Sequence, residues 1–394
     1  MNQHDISCLV NKATTTLSPS LFEFADMKTA SNVRQFHSRL PNYAPTPLVI
    51  LSQLAAHLGI KQLVVKDESH RFGLNAFKGL GASYAIAKHL AELLGLEDNE
   101  LAFNKIYANK SKYKNITFVT ATDGNHGRAV AWASKLFGCK SVVYMPKGSS
   151  HARLKAICGF GAEASITMLN YDDTVIYAKQ KAEENGWVLL QDTSWEGYEK
   201  VPRHIMQGYF TLITECLNQE KELWPTHVFL QAGVGSFAAS IVAYMCNFTD
   251  RPSPKFIIVE PQGAPCFYES IKQDKDNPLR IEGDLLTIMA GLACGEPSHM
   301  AWETLKVSAS AFLKCSDDVA RRGMKVLGNP MRGDHRIISG ESGAVTLGAL
   351  FEVISNSLFQ TIKDDLNLKS DSIVLLFSTE GDTDPEVYRD IVWL

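Results

Sequence analysis

Lys78 stands where a polar loop meets the start of a predicted helix, and Gly79 and Gly81 follow it closely. The two glycines remove side-chain bulk next to the lysine, so a flat ligand could approach the backbone there. A lysine in apolar surroundings loses its proton readily and can then condense with an aldehyde. Taken alone, the pattern is also that of an ordinary solvated lysine at a helix start, so the interpretation depends on the rest of the chain.

A second polar loop, residues 120–127, joins a predicted strand to a predicted helix and contains Asp123 and Asn125. An amide in such a loop could form a hydrogen bond with a phenolic oxygen. Aspartate and asparagine are also good helix N-caps, so capping alone would explain both residues equally well.

The run Gly233, Val234, Gly235 and Ser236 lies between another predicted strand and helix. Its glycines allow backbone N–H groups to point inward at a helix N-terminus, and the Ser236 hydroxyl adds a donor, so a phosphate suits the site. The run matches neither the dinucleotide-binding glycine pattern nor a Walker A sequence. A tight strand-to-helix turn without a ligand is the alternative.

The last predicted strand leads into Ser378 and Thr379. Their hydroxyls could face a ring nitrogen or could serve only the turn. Together the four loops offer four groups that could bind one ligand. The amine could bind an aldehyde, the amide a phenolic oxygen, the backbone N–H groups a phosphate and a hydroxyl a ring nitrogen. These are the four groups through which a protein holds pyridoxal 5′-phosphate.

Predicted strands and helices alternate along most of the chain, with short loops between them. This alternation is typical of parallel sheets whose ligands bind beyond the carboxyl ends of the strands. We therefore expect an α/β fold of two interleaved open twisted sheets with helices on both faces. The expected large domain comprises residues 1–82 and 196–394, and the small domain residues 83–195. Residues 1–40 are predicted to be an irregular arm, and residues 201–219 a single helix.

The composition of the chain limits the partners that it can bind. The 394 residues include 39 basic and 43 acidic side chains, a net charge of −4 that indicates no nucleic-acid partner. Residues 1–17 lack the pattern of a signal peptide and no apolar run reaches membrane-spanning length, so we expect a cytoplasmic protein without a membrane partner. The eight cysteines lack metal-ligand spacing, which predicts no structural metal.

Four motifs resemble, in their order, those of the fold type II pyridoxal-phosphate enzymes, the tryptophan synthase β family: Thr46–Leu48, Lys66–Glu68, Phe77–Gly79 and Asp123–Gly127. The resemblance extends from about residue 44 to residue 384. It implies that Lys78 holds the cofactor as a Schiff base and that Asn125 contacts its 3′-oxygen. Residues 233–236 would bind its phosphate, and Ser378 or Thr379 would face the ring nitrogen.

The resemblance also implies a site for a small amino acid substrate. The loop that contains Thr122, Asp123, Gly124 and His126 would hold the substrate carboxylate with backbone N–H groups. Asp192 would bind or protonate a second amino group of the substrate, although a buried helix cap or an ion-pair partner is an alternative role for this aspartate.

Longer runs resemble one group within the family, the diaminopropionate ammonia-lyases: Asp67–Lys78, Gln191–Tyr198, Ile288–Pro297 and Ser339–Ala344. This resemblance implies a homodimer that eliminates ammonia from both enantiomers of 2,3-diaminopropionate and leaves pyruvate and a second ammonia. Lys78 and Asp123 would remove the Cα proton from opposite faces. Two alternatives stay open: a serine/threonine dehydratase of the same fold, and a cofactor-binding protein without catalysis.

Cys266 and Cys294 both lie in segments near the expected ligand-binding edge. We expect them to be close enough to form a disulfide that orders a loop over the site. Two unrelated buried thiols are the alternative, and the geometry of the two α-carbons distinguishes the cases.

Overall fold

The computed structural model describes residues 5–12, 19–122, 124–273 and 276–394, so Asp123 lies outside the described residues. The strands are β1 (Ile6–Val10), β2 (Leu48–Ile50), β3 (Gln62–Asp67), β4 (Thr117–Ala121), β5 (Lys140–Met145), β6 (Glu163–Ile166), β7 (Val188–Leu189), β8 (His227–Gln231), β9 (Lys255–Pro261), β10 (Ala311–Cys315) and β11 (Ile373–Ser378).

The α-helices follow in chain order: α1 (Met27–Ser38), α2 (Ser52–Leu58), α3 (Gly79–Leu93), α4 (Phe103–Tyr107), α5 (Asn125–Phe137), α6 (His151–Cys158), α7 (Tyr171–Asn185), α8 (Lys200–Gly208), α9 (Phe210–Gln219), α10 (Ser236–Cys246), α11 (Cys266–Lys272), α12 (His299–Ser308), α13 (Asp317–Gly328), α14 (Glu341–Ser355), α15 (Gln360–Leu366) and α16 (Pro385–Trp393). Short 3₁₀ helices cover Pro19–Ala25, Glu68–Gly73, Asp98–Glu100, Lys110–Lys112, Ala290–Leu292 and Ser357–Phe359.

The described strands form two sheets. The larger has the order β1-β10-β9-β8-β11-β3-β2 and the smaller the order β6-β5-β4-β7. All neighbours are parallel except the two edge pairs of the large sheet, where β1 runs antiparallel to β10 and β2 antiparallel to β3. Every residue of β4 and β8 is buried, as expected for parallel strands that helices cover on both faces.

The expected α/β architecture is confirmed. The small sheet uses strands within residues 83–195, and the strands of the large sheet lie in the two segments predicted for the large domain. The boundaries at residues 82 and 195 stay a prediction. Within the described residues, no single helix is long and apolar enough to cross a membrane, and one bent pair, α14 with Ser357–Leu366, qualifies by length and composition alone.

Two local predictions are wrong. Residues 1–40 are not simply an irregular arm, because they contain β1 and α1. Strand β1 is stabilised by pairing with β10, about 300 residues away, whereas Asp26 caps α1 by accepting a hydrogen bond from the backbone N–H of Thr29 at 2.9 Å. The helix predicted over residues 201–219 is two helices, α8 and α9, and Tyr209 lies between them.

Helices α3 and α8 approach each other at two glycines, and this contact positions Lys78 at the start of α3. A Cβ atom on Gly81 would lie 2.7 Å from a ring carbon of Tyr209 and 2.8 Å from the Ile205 side chain. A Cβ atom on Gly208 would lie 2.6 Å from the carbonyl oxygen of Leu80. Neither position has room for a larger residue, so the two backbones lie in direct contact.

A buried cluster of four charged side chains supports the turn that leads from β3 to Lys78. Lys66 Nζ lies 2.6 Å from Glu215 Oε2, and Arg71 Nη2 lies 2.8 Å from both Glu68 Oε1 and Glu215 Oε2. None of the four side chains is more than 1% exposed. The two cations and two anions balance, so the cluster ties β3 and its turn to α9 without leaving an uncompensated buried charge.

We expect Arg71→Met to lower the free energy of unfolding by about 3–5 kcal/mol, because it leaves two buried carboxylates with a single cation. Urea denaturation of the wild type and the variant measures the difference. The matched control is Lys200→Met, which removes an exposed ion pair with Glu92 (2.6 Å; side chains 65% and 60% exposed). The control should cost no more than about 1 kcal/mol. Equal losses in the two variants would contradict the role given to the cluster.

The stabilisation by this cluster should also depend on pH. Burial by itself raises the pKa of Glu215, but hydrogen bonds and charges from Arg71 and Lys66 outweigh it and lower the pKa from 4.5 to about 2. A carboxyl group with a lowered pKa stabilises the fold above its unfolded pKa and loses that effect as the pH falls through the folded value. The difference between wild type and Arg71→Met should therefore shrink between about pH 4.5 and pH 2.

Candidate active site

One cavity, which is open to solvent and spans about 730 Å³ together with its mouth, lies at the carboxyl ends of strands from both sheets. Its walls bring together most of the side chains that the sequence singles out: Lys78, Thr122, Asn125, His126, Asp192, and residues 233–236 with Thr379. The loops after β3 and β11 pair here, because the backbone N–H of Phe77 donates to the carbonyl of Thr379 at 3.1 Å. The lysine therefore enters the cavity from the large sheet.

Lys78 and Asp192 form an ion pair inside the cavity. Lys78 Nζ donates to Asp192 Oδ2 at 2.5 Å, and the two side chains are 17% and 4% exposed. Burial alone would raise the pKa of Asp192, but the charges of His126 and Lys78 and the hydrogen bond from Lys78 lower it to about 2. Asp192 is thus an ionised carboxylate at neutral pH, in contact with the Lys78 amino group.

The ring of His126 supports Asp192. Its Nε2 lies 2.8 Å from the carbonyl oxygen of Leu190 and, since a carbonyl only accepts, Nε2 carries a hydrogen. The other ring nitrogen, Nδ1, lies 3.7 Å from Asp192 Oδ2. The side chain of His126 therefore contacts the carboxylate of Asp192. This contact is separate from the predicted role of the loop around His126, which is to bind the carboxylate of the substrate.

The loop between β4 and α5 is stabilised from within by Thr122. The hydroxyl oxygen of Thr122 accepts hydrogen bonds from the backbone N–H groups of Gly124 and Gly127, at 2.9 and 3.0 Å. Gly124 has a φ of +157°, which favours glycine. The N–H of Gly124, expected to contact a substrate carboxylate, is therefore engaged within the loop in this structure.

The glycine run after β8 forms a cradle at the N-terminus of α10. Gly235 has a φ of +88°, and a Cβ atom there would overlap the ring of Phe267. At Gly233 a Cβ atom would lie 3.0 Å from Cys294 Sγ. Among the described residues, none accepts a hydrogen bond from the backbone N–H groups of residues 233–236. These donors and the helix N-terminus fit a phosphate group.

The hydroxyl of Ser236 has a different partner from the expected one. It donates to the carbonyl oxygen of Asp192 at 2.6 Å, so its hydrogen is engaged by the protein. The predicted phosphate site therefore depends mainly on the backbone N–H groups. The same hydrogen bond joins the glycine cradle to the segment that carries Asp192.

The two hydroxyls after β11 point in different directions. Ser378 Oγ donates to Ser339 Oγ at 2.8 Å and is not part of the cavity wall, whereas Thr379 lines the cavity. Thr379 Oγ1 accepts from Gln231 Nε2 at 2.8 Å, which leaves its own hydrogen available for an acceptor such as a ring nitrogen. The glycine cradle, the lysine and this hydroxyl together fit pyridoxal 5′-phosphate.

Comparisons with known proteins agree with this fit. Residues 40–378 match the family model "Pyridoxal-phosphate dependent enzyme". The chain is 50% identical over 367 residues to the diaminopropionate ammonia-lyase of Salmonella typhimurium, which covers 92% of this chain and 91% of that protein. The chain belongs to the diaminopropionate ammonia-lyase family of pyridoxal-phosphate-dependent enzymes.

Solved structures of this family resemble the present one closely. The Escherichia coli diaminopropionate ammonia lyase in complex with an aminoacrylate-PLP azomethine reaction intermediate gives a TM-score of 0.90 at 46% identity, over 98% of this chain and 97% of that one. The same E. coli enzyme in complex with D-serine gives a TM-score of 0.91 at 46% identity, over 98% and 97%.

Glu380 is a cavity residue that the sequence does not single out. Its Oε2 accepts a hydrogen bond from Asn125 Nδ2, and its Oε1 accepts from the backbone N–H of Ser342 at 3.0 Å. Asn125 begins α5 beside the small sheet and Glu380 follows β11 of the large sheet, so the contact crosses between the sheets. An amide has two N–H donors, so one stays available for the 3′-oxygen of the cofactor.

The expected disulfide is absent. Cys266 is a free thiol, and burial raises its pKa well above the usual value. Both sulfurs nevertheless border the same glycine, since Cys266 Sγ lies 3.7 Å from the carbonyl oxygen of Gly233 and Cys294 Sγ lies beside its Cα. The prediction that they pair is wrong for this structure, and burial works against pairing because a thiol with a raised pKa forms little of the thiolate that reacts to form a disulfide.

We expect Gly235→Ala to weaken binding of pyridoxal 5′-phosphate about 10- to 100-fold, because the new methyl group would displace the cradle against Phe267 and cost hydrogen bonds to a charged group. Titration of the cofactor-free protein with pyridoxal 5′-phosphate, followed by visible absorbance, measures the change.

The control is Gly161→Ala. Gly161 has nearly the same φ, +87°, but nothing lies within 4 Å of its added Cβ atom. The substitution should cost about 1–2 kcal/mol of stability through the backbone alone and leave cofactor affinity unchanged. Similar affinity losses in the two variants would mean that backbone strain, and not the shape of the cradle, explains the effect at Gly235.

Proposed function

We propose that this protein eliminates ammonia from 2,3-diaminopropionate with pyridoxal 5′-phosphate and releases pyruvate and a second ammonia. The observation that carries the proposal is the ion pair of Lys78 with Asp192 in the cavity that also contains the glycine cradle. It provides an amine for the cofactor and, next to it, a carboxylate for a cationic substrate group.

The cofactor would be held by residues from several loops. Lys78 would bind its aldehyde carbon, Asn125 its 3′-oxygen, the backbone of residues 233–236 its phosphate, and Thr379 its ring nitrogen. The orientation of Ser378 toward Ser339 favours Thr379 for the last role. When bound, the cofactor withdraws electrons from Cα of the attached amino acid and makes its proton more acidic.

Asp192 would recognise the leaving group. Its lowered pKa keeps it ionised, and the contact of Lys78 Nζ with Oδ2 at 2.5 Å supports the fit of an alkylammonium group against it. A β-ammonium group of the substrate would gain a charge-assisted hydrogen bond there, whereas the hydroxyl of serine is neutral. This difference favours a diamino acid over the substrates of a serine/threonine dehydratase.

Lys78 and Asp123 would act as bases for opposite enantiomers. Once the substrate carboxylate and α-nitrogen are held, the Cα–H bonds of the two enantiomers point to opposite faces, so one base cannot serve both well. Lys78 would take the proton on one face and Asp123, in the carboxylate-binding loop, the proton on the other. The E. coli relative that was solved in complex with D-serine supports access for a D-amino acid.

The assembly and location are also proposals. We propose a cytoplasmic homodimer, supported by the resemblance to the family and by the composition of the chain. The substrate partner is a small amino acid, with no nucleic acid or membrane involved.

A substrate panel with pyruvate detection tests the function. We expect kcat/KM for diaminopropionate to exceed that for serine and threonine by about 10-fold or more, as the charged hydrogen bond to Asp192 requires. Lys78→Ala should lose both turnover and the visible absorbance of the bound cofactor. Preference for serine or threonine would favour the dehydratase, and a visible band without turnover on any of these amino acids would favour a cofactor-binding protein without catalysis.

The two-base proposal is tested by Asp123→Asn, which keeps the size of the side chain but cannot accept the proton. Turnover of the D-enantiomer should fall about 10²–10⁴-fold, the range typical of a positioned base, while turnover of the L-enantiomer falls far less. Comparing kcat/KM for both enantiomers in wild type and variant gives the answer. Equal losses would mean that Asp123 only positions the substrate.

A further inference from the structure

Glu380 lies in the wall of the active-site cavity and is held in place on several sides. The residue is 3% exposed, and its backbone carbonyl accepts a hydrogen bond from the N–H of Gly340 at 3.0 Å. A Cβ atom on Gly340 would lie 3.1 Å from Glu380 Cγ and 3.2 Å from Oε1, so the side chain packs directly on the backbone of Gly340. The carboxyl group of Glu380 therefore has a fixed position beside the cavity.

Both oxygens of this carboxyl group accept hydrogen bonds from the protein. Oε1 accepts from the backbone N–H of Ser342, in the first turn of α14, at 3.0 Å. Oε2 accepts from Nδ2 of Asn125, the first residue of α5. A backbone N–H can only donate, so the atom that faces Ser342 has to be an acceptor, and the other oxygen is the one that faces Asn125.

The carboxylate decides which end of the Asn125 amide faces it. The amide has a nitrogen that donates and an oxygen that accepts, and rotation about the Cβ–Cγ bond exchanges their positions. Only the nitrogen forms a hydrogen bond with a carboxylate oxygen, because the amide oxygen would be repelled. Nδ2 carries two hydrogens, so the one that Glu380 does not take is directed at a second acceptor.

We infer that Glu380 is a positioning residue, which holds the Asn125 amide with Nδ2 toward the 3′-oxygen of pyridoxal 5′-phosphate. That oxygen is phenolic and ionises readily, and an N–H group binds an anionic oxygen more strongly than a neutral one. An inverted amide would present its own oxygen there and repel it. This inference rests on the proposed contact of Asn125 with the 3′-oxygen and adds the residue that sets the direction of that contact.

A purely structural role is the alternative, because the hydrogen bond from Asn125 to Glu380 also joins the two sheets. Glu380→Gln distinguishes the two roles. The N–H of Ser342 still needs an acceptor, so it retains the oxygen of the new side chain, and the new NH₂ group takes the place of Oε2. That group only donates, so Asn125 turns Oδ1 toward it. The variant keeps the contact between the sheets and reverses the Asn125 amide.

The test compares two ligands that differ in the 3′-oxygen. They are pyridoxal 5′-phosphate and its 3-deoxy analogue, which lacks the phenolic oxygen and keeps the aldehyde and the phosphate. Calorimetric titration of the cofactor-free protein gives Kd for both. We expect Glu380→Gln to raise Kd for pyridoxal 5′-phosphate about 10- to 100-fold, the effect of a lost hydrogen bond to a charged group, and to change Kd for the analogue less than about threefold. Equal losses for the two ligands, or no loss for either, would overturn the inference.

The matched control is Glu352→Gln. Glu352 is a buried glutamate on α14 (5% exposed) whose Oε1 accepts from Arg322 Nε at 3.1 Å, and it does not line the cavity. This variant should leave both Kd values unchanged. A selective loss of affinity for pyridoxal 5′-phosphate in the control would also overturn the inference, because any buried glutamate would then give the same effect.

Asn125→Ala separates the inference from the contact on which it rests. If Asn125 binds the 3′-oxygen, this variant should lose affinity for pyridoxal 5′-phosphate and not for the analogue. Adding Glu380→Gln should then cause no further selective loss, because Glu380 acts through Asn125. A selective loss in Asn125→Ala alone, without one in Glu380→Gln, would overturn the inference and leave the contact standing, whereas no selective loss in Asn125→Ala would refute both.

A further selective loss in the double variant would mean that Glu380 acts on the cofactor directly, which would also overturn the inference. None of these measurements involves turnover. They therefore give the same answer whether or not the wild type releases pyruvate from diaminopropionate, and a failure of the proposed elimination is seen separately in the substrate panel.

Discussion

The position of Lys78 depends on balanced charge in the protein interior. Four buried charged side chains support the turn that leads to Lys78, and each cation contacts a carboxylate. They are Lys66, Glu68, Arg71 and Glu215. Two carboxylates or two cations alone could not remain ionised there. Because all four are present, the end of β3 is held against α9, and the turn has a defined path into the cavity.

The cavity itself is assembled from both sheets. Lys78 follows β3 of the large sheet and contacts Asp192, which follows β7 of the small sheet. Asn125 follows β4 of the small sheet and contacts Glu380, which follows β11 of the large sheet. Ser236 adds a hydrogen bond between the glycine cradle and the backbone of Asp192. The groups proposed for cofactor and substrate are therefore connected to one another by hydrogen bonds within the protein, which lowers the cost of ordering them.

Charge also explains the selectivity that we propose. The ionised carboxylate of Asp192 is buried, so an ammonium group next to it gains more than it would in water. A site of this kind discriminates by the hydrogen bonds that a poorer ligand leaves unmade, which distinguishes a β-amine from a β-hydroxyl.

The sequence by itself determines the α/β architecture and most of the residues that we propose for the cofactor site, because these depend on local signals. Alternating strands and helices predict parallel sheets, and glycines beside Lys78 and in residues 233–236 predict close backbone approach. Only the tertiary structure favours Thr379 over Ser378 for the proposed contact with the ring nitrogen, since the two hydroxyls are adjacent in sequence but have different partners. The tertiary structure also decides the break between α8 and α9 at Tyr209, because the ring of Tyr209 packs against Gly81 of a distant helix and periodicity does not reveal this contact.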